Sequence, residues 1–275
     1  MMKKEIELKE IQAIAMNILG QIAKLCEELN LRYYLIYGTL LGAVRHQGYI
    51  PWDDDLDIMM PREDHDILIA YLRENIAKYH NLEVFNHENN PKYPYMITRI
   101  SDQRYRLIMN NEKEYGMGVF VDIYPFDGLG QTKKEALRYA RKGDLLSSLC
   151  YQATRRRFAF EATRTTLRKI VKLPIFIVAH LCGKNFFQAR LQKLARVKSY
   201  DKNEYVGCII WHESGAKTIF PRKWFEGHQI LLFGSESFRV PIEYEAFLEH
   251  VYGDYMKLPP LKDRVGRHGY KIFER

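Results

Sequence analysis

Asp53-Asp54-Asp55-Leu56-Asp57 sets four carboxylates within five residues, and the last of them opens the apolar run Ile58-Met59-Met60. A strand buried on both faces suits such a run, but buried acids need a positive partner. Side chains alternate across a strand, so Asp55 and Asp57 are expected on one face, with Leu56 and Ile58 on the other. Close like charges raise each other's pKa unless a cation compensates them, and a few carboxylates together select a hard divalent ion. Asp122 supplies a third acid between Phe120-Val121 and Ile123-Tyr124, a setting where an unpaired carboxylate is costly. Asp55, Asp57 and Asp122 are therefore read as one centre for a pair of divalent cations. Asp53 and Asp54 lie at the loop end of the strand and are read as supporting or solvated, with Asp53 the one turned inward.

The surrounding pattern predicts an α/β chain. Ile6, Ile11, Ile14, Ile18, Ile22, Leu25 and Leu29 recur at helical steps, so the first thirty residues form an amphipathic cover helix. Strands are expected at Leu31 to Tyr37 and Leu56 to Met60, as neighbours, with a helix from Arg62 to Tyr79 after the second. Further strands are expected at Leu82 to Asn86, Tyr95 to Ser101 and Gly118 to Phe126. From Gln131 to Tyr200 the pattern turns helical. Two strands around Gly234-Ser235 and a helix ending near Gly253 close the reading.

Between the first two strands, Gly38-Thr39 opens a short helix, where backbone N–H groups and a hydroxyl can meet phosphate oxygens. A Gly-Thr pair alone carries little weight. Beside the three aspartates it completes a constellation for an anionic ligand held through cations. Arg45 and His46, one to two turns along, are expected to face that ligand, Arg45 as a bidentate fork. A surface cap is the plain alternative for His46.

Charge divides the chain. The segment 131–200 carries 17 Lys and Arg against Glu135, Asp144 and Glu161, a surplus of 14; with +8 overall, the remainder carries −6. The basic segment admits a nucleic-acid or membrane-surface partner. No recognition motif accompanies it, and a nucleic-acid binder leaves the aspartates without a role, so no nucleic acid is expected. Leu173 to Gly183 is too short to span a bilayer. The first thirty residues mix acids with apolar residues and do not read as a secretory signal, so a cytoplasmic protein is expected. Cys26, Cys150, Cys182 and Cys208 have neither metal-site nor disulfide spacing and read as reduced core thiols.

The stretch Gly38 to His46 with Ile50-Pro51-Trp52-Asp53-Asp54-Asp55-Leu56-Asp57-Ile58 resembles the signature of the LicD family of phosphocholine transferases. That family is related to the fukutin group within the nucleotidyltransferase superfamily. The likeness continues in Val121 to Leu129 and Val240 to Pro260 and covers most of the chain outside the basic segment. It implies a nucleotidyltransferase-type mixed sheet with flanking helices and a basic helical insertion. The catalytic core would span 1–130, the insertion 131–200, and 201–275 would complete the catalytic domain.

The resemblance also implies a chemistry. Phosphocholine would pass from CDP-choline to a hydroxyl of a cell-surface glycan precursor, of teichoic acid or lipopolysaccharide type, with release of CMP. Another CDP-linked alcohol, such as ribitol phosphate, is the alternative donor. Gly38 and Thr39 would contact phosphate, and Asp55, Asp57 and Asp122 would bind two magnesium ions, Asp122 also taking the acceptor's proton. Arg99 and Arg104 would hold the diphosphate, and His268 would close over the site. Choline's quaternary ammonium calls for aromatic faces, with Trp52 nearest and Tyr37, Tyr93, Tyr95 and Tyr124 as others. An acceptor on a lipid carrier would bring the basic segment, through Arg155 to Arg157 and apolar residues such as Phe158, Phe160, Leu173 and Ile175 to Ile177, against an anionic membrane.

Overall fold

The computed structural model describes residues 4–109, 111–158, 166–211, 215–266 and 269–275. Helix α1 (Leu8–Glu28) buries Ile11, Ala15, Ile18, Leu19, Ile22 and Leu25 along one face, as its periodicity predicts. It stops where Asn30 turns left-handed at φ 53°, letting Leu31 N–H reach back to the Cys26 carbonyl at 2.7 Å. The predicted strand after it is short: only β1 (Tyr34–Leu35) pairs, because α2 (Tyr37–His46) already begins at Tyr37.

Strand β2 (Asp57–Pro61) runs straight into α3 (Arg62–Asn75). Then follow β3 (Leu82–Phe85), β4 (Thr98–Asp102), β5 (Tyr105–Met109) and the long β6 (Val119–Gly130), every residue of which is buried. The sheet order is β1-β2-β6-β4-β3, with β2 and β6 parallel and the other neighbours antiparallel. This mixed sheet with helices agrees with the expected α/β class. Asp127 on β6 is fully buried and takes a bidentate grip from Arg62, both bonds at 2.8 Å. That pair pins the start of α3 to the sheet.

The basic segment is helical where it is described, in α4 (Lys133–Thr154), α5 (Thr166–Cys182) and α6 (Lys184–Ala195). Thr132 caps α4 by accepting from Glu135 N–H, while the Glu135 carboxylate reaches back to accept from Gln131 N–H, just before the cap, at 3.0 Å. A side chain at Gly143 would run into the Ile209 carbonyl, so glycine lets α4 lie close to that segment. Strand β7 (Tyr205–Gly207) pairs with the far half of β6 and with β8 (Phe220–Pro221).

The expected hairpin forms as β9 (His228–Phe233) and β10 (Glu236–Pro241), and α7 (Tyr244–Tyr252) ends at Gly253 with φ 72°. A pairing that the sequence reading lacks joins β5 to β11 (Tyr270–Glu274). Beside it, Ile6 N–H donates to the Ile272 carbonyl and Glu274 N–H to the Lys4 carbonyl. Among the described residues no helix is long and apolar enough to cross a membrane. Cys26, Cys150 and Cys208 are buried free thiols, but Cys182 is exposed rather than part of the core.

Candidate active site

Register builds the centre. On the parallel pair, Asp57 of β2 lies directly beside Asp122 of β6, and on the antiparallel side Asp122 lies beside Arg99 of β4. Three adjacent strands thus carry acid, acid and base in one row, all three residues buried. Arg99 Nε donates to Asp122 Oδ1 at 2.5 Å, and Nη2 reaches Oδ2 at 3.3 Å. Burial opposes the Arg99 charge, but Asp122 outweighs it and holds the guanidinium pKa well above its ordinary value. Its planar head also lies over Phe120, 4.2 Å from the ring centre, and over Tyr95 at 4.7 Å.

Asp55 is half-buried just before β2, not on it, yet one oxygen each from Asp55, Asp57 and Asp122 lies within 4.8 Å of the others. Asp53, Asp54 and Asp55 form a second such group, so Asp55 belongs to both. Three carboxylates against one guanidinium leave the row with a negative excess of two. Hard oxygen donors with that charge fit a divalent cation of the magnesium type.

Thr39 also does work that the sequence does not announce. Its buried hydroxyl accepts from Asp57 N–H at 2.7 Å, fixing the first residue of β2 and leaving its own hydrogen to donate. The space at Gly38 is taken: a Cβ there would lie 2.9 Å from Asp53 Oδ2. A carboxylate therefore already sits against the first turn of α2, where the helix dipole favours negative charge. Tyr37, at φ 48°, holds a left-handed conformation that is strained for a bulky residue, and its ring packs on Tyr124 and Phe247.

These groups face a cleft of about 950 Å³ whose walls include Gly38, Asp53, Asp55, Asp57, Arg99 and Asp122. Aromatic residues dominate the rest: Tyr37, Tyr95, Tyr124, Tyr151, Trp211, Tyr252 and Tyr270. Glu112 and Arg155 close one side. Buried Glu112 accepts from the Tyr95 hydroxyl and from Arg155, whose guanidinium lies 3.8 Å from the Tyr151 ring centre. Arg155 is thus turned into the cleft wall, not outward to a membrane as the sequence reading has it. Lys217 stands at another edge, donating to the Val251 carbonyl at 3.1 Å.

Several sequence candidates lie elsewhere. Arg45 and Trp52 line an adjoining cavity of about 310 Å³ that meets the cleft at Gly38, Asp53 and Tyr252. Arg45 spends its donors on the Tyr255 carbonyl at 2.9 Å and on His46 Nε2 at 3.0 Å. His46 packs edge-on to Trp52, and burial, then the charge of Arg45, lowers its pKa. Arg104 grips Asp102 at the turn beyond β4, outside the residues that line the cleft. Tyr93 is fully buried behind Tyr95. His268 and Phe160 lie outside the described residues. Sequence reasoning missed Glu112, Tyr151, Trp211, Tyr252 and Tyr270, and it missed the link between Arg99 and Asp122.

Fold and site together define an α/β protein whose mixed sheet carries a carboxylate centre at the floor of an aromatic cleft. The family model described as LicD/FKTN/FKRP, nucleotidyltransferase domain, matches residues 30–162, the span that holds all three acids. Over those residues the chain matches the LicD family. It is 29% identical over 268 residues to the lipopolysaccharide cholinephosphotransferase LicD of Haemophilus influenzae, covering 96% of this chain and 97% of that one. An uncharacterized protein of Rickettsia typhi is 29% identical over 143 residues, 52% of this chain and 44% of its own. One of Rickettsia prowazekii is 32% identical over 126 residues, covering 47% of its length.

Proposed function

We propose that this phosphotransferase moves phosphocholine from CDP-choline to a hydroxyl of a lipopolysaccharide-type glycan and releases CMP. The observation that carries the reading is the Asp57–Asp122–Arg99 row at the floor of a cleft large enough for a nucleotide donor. The likeness to the Haemophilus cholinephosphotransferase over nearly the whole chain supports the transferred group and the acceptor class.

In this reading Asp55, Asp57 and Asp122 would hold magnesium, and Asp53 and Asp54, grouped with the same Asp55, would be at hand for a second ion. Such ions would supply positive charge to offset the donor's diphosphate. The acceptor oxygen bonds to the phosphorus that carries choline, that phosphorus parts from the CMP oxygen, and CMP leaves with the electron pair. The acceptor's proton goes to a cleft carboxylate. Both Asp122 oxygens face the Arg99 guanidinium and Asp55 belongs to both carboxylate groups, so half-buried Asp53 is better placed to take it than either. Thr39 keeps Asp57 at its register position, and Arg99 keeps Asp122 aimed. The basic helices hold the enzyme at an anionic membrane face near its lipid-linked acceptor, through exposed Ile175, Ile177, Val178 and Leu181 of α5.

A panel of CDP-alcohols incubated with magnesium and a lipopolysaccharide-type acceptor tests the reading by CMP release. CDP-choline is expected to be the preferred donor. Release from CDP-ribitol with none from CDP-choline overturns the phosphocholine assignment.

A further inference from the structure

Beside the cleft lies a side pocket of about 310 Å³, and the two share Tyr95, Tyr151 and Trp211 as lining. The pocket's deeper wall is apolar, with Met96, Leu191 and Ile210. We infer that this pocket seats the donor's trimethylammonium group against the faces of Tyr95, Tyr151 and Trp211; the inference rests on the phosphocholine reading.

A quaternary ammonium has no N–H to donate, so its site needs ring faces and negative potential rather than carbonyl or hydroxyl acceptors. Both are present. The Tyr95 and Trp211 rings lie 5.6 Å apart at a tilt of 55°, two walls of one corner. Behind Tyr95 sits the buried Glu112 carboxylate, whose Oε2 has no hydrogen-bond partner among the described residues. These rings already hold cations: Arg99 lies over Tyr95 and Arg155 over Tyr151. Each guanidinium is paired with its own acid, Asp122 and Glu112, so the positive charge nearby is offset and the ring faces supply the main attraction.

The spacing also agrees with the donor's shape. Arg99 touches Asp122 with one edge and Tyr95 with its face, so the pocket begins one side chain away from the carboxylate row. Phosphocholine separates phosphorus from nitrogen by a single oxygen and two carbons. Trp52, the nearest aromatic in sequence, is excluded from this role by its place in the other cavity, beneath Arg264.

The test compares CDP-choline with its uncharged isostere, in which a tert-butyl group replaces trimethylammonium, by CMP release from the full chain. The wild type is expected to show a KM about tenfold lower for CDP-choline, a difference of about 1.4 kcal/mol. Tyr151→Leu and Trp211→Leu should abolish that preference by raising the KM of CDP-choline alone, while Tyr151→Phe keeps it. Tyr151 is 42% exposed, so its replacement puts little of the core at risk, and thermal unfolding checks the Trp211 variant. Preference retained in both leucine variants, or lost in Trp52→Leu instead, overturns the pocket assignment. A wild type that releases no CMP from CDP-choline overturns the phosphocholine reading itself, and does so before any variant is made.

Discussion

Arg99 reaches across from β4 to hold Asp122 on β6, and neither residue has appreciable contact with water. A buried ion pair broken on one side leaves an uncompensated charge, typically at about 3–5 kcal/mol. Arg99→Leu should therefore lose stability on that scale in chelator. Added magnesium should restore part of the loss, because a divalent ion offers Asp122 a second counter-charge. Denaturant unfolding of the variant with and without magnesium measures both effects, and identical curves would argue against a cation beside Asp122.

Asp57→Asn removes one of the close acids without changing shape. Transfer should fall by at least about 100-fold, the scale on which removing one group from a preorganised electrostatic site is felt. The melting temperature in chelator should hold or rise, since mutual repulsion in the row drops. Asp55→Asn and Asp122→Asn belong in the same assay, and wild-type CMP release from Asp57→Asn would remove the carboxylate centre from the chemistry.

Thr39→Val takes away the acceptor for the Asp57 N–H and leaves that group buried. The expected loss is about 1–3 kcal/mol of stability, with kcat lowered more than KM because Asp57 loses its anchor. Thr39→Ser should recover both. A Thr39→Val enzyme with an intact kcat and a raised KM would point back to the hydroxyl touching substrate.

Buried His65 bridges Asp66 Oδ1 at 3.1 Å and the Thr98 hydroxyl at 2.8 Å, contacts that a neutral ring with its hydrogen on Nδ1 satisfies. Burial lowers its pKa, opposed by the hydrogen bond to Asp66. The folded state then binds fewer protons than the unfolded one, so this stability is complete above the ordinary histidine pKa of about 6.5 and is lost as pH falls below it. Urea midpoints should drop between neutral pH and pH about 5, with a shallower slope in His65→Gln. Some slope remains in that variant, because His46 and His87 are shifted the same way by burial.

Membrane contact is best tested without Arg155, which belongs to the cleft wall. Ile177 and Leu181, 50% and 82% exposed on α5, should give binding to anionic liposomes that weakens in Ile177→Ser/Leu181→Ser and with salt. Arg156→Gln/Arg157→Gln should weaken it as well, by about 1 kcal/mol per charge near the surface. Equal sedimentation with neutral and anionic vesicles would remove this role.

The sequence made the acids legible because alternation and an apolar setting mark a buried carboxylate without reference to any other segment. Their meeting rests on the parallel pairing of β2 and β6, which no local pattern announces. The pairing of Arg99 with Asp122 was not legible, because it depends on the antiparallel register of two strands joined by a long excursion through β5. The Thr39 contact with Asp57 was not foreseen for a smaller reason: α2 starts at Tyr37, so the expected turn is already helical and the hydroxyl reaches the first residue of β2. Trp211, Tyr151 and Glu112 carry no local motif, and only the packing of α4 beside the sheet brings them to the cleft. Tyr270 had a signal, since Tyr-Lys-Ile-Phe-Glu alternates as a strand should, but its partner β5 was not recognised.

Hydrogen bonds between residues 4–6 and 272–274 give the polypeptide a nearly circular path. A short glycine-serine bridge across that gap would let new termini be cut at Gly183, where α5 meets α6 and no atom outside its chain neighbours lies within 4 Å of a built Cβ. Such a circular permutant would keep β1, β2, β6 and β4 in their present order and leave the carboxylate row uninterrupted. It would show whether the carboxylate row assembles when α5 and α6 are no longer joined in sequence, with every side chain retained.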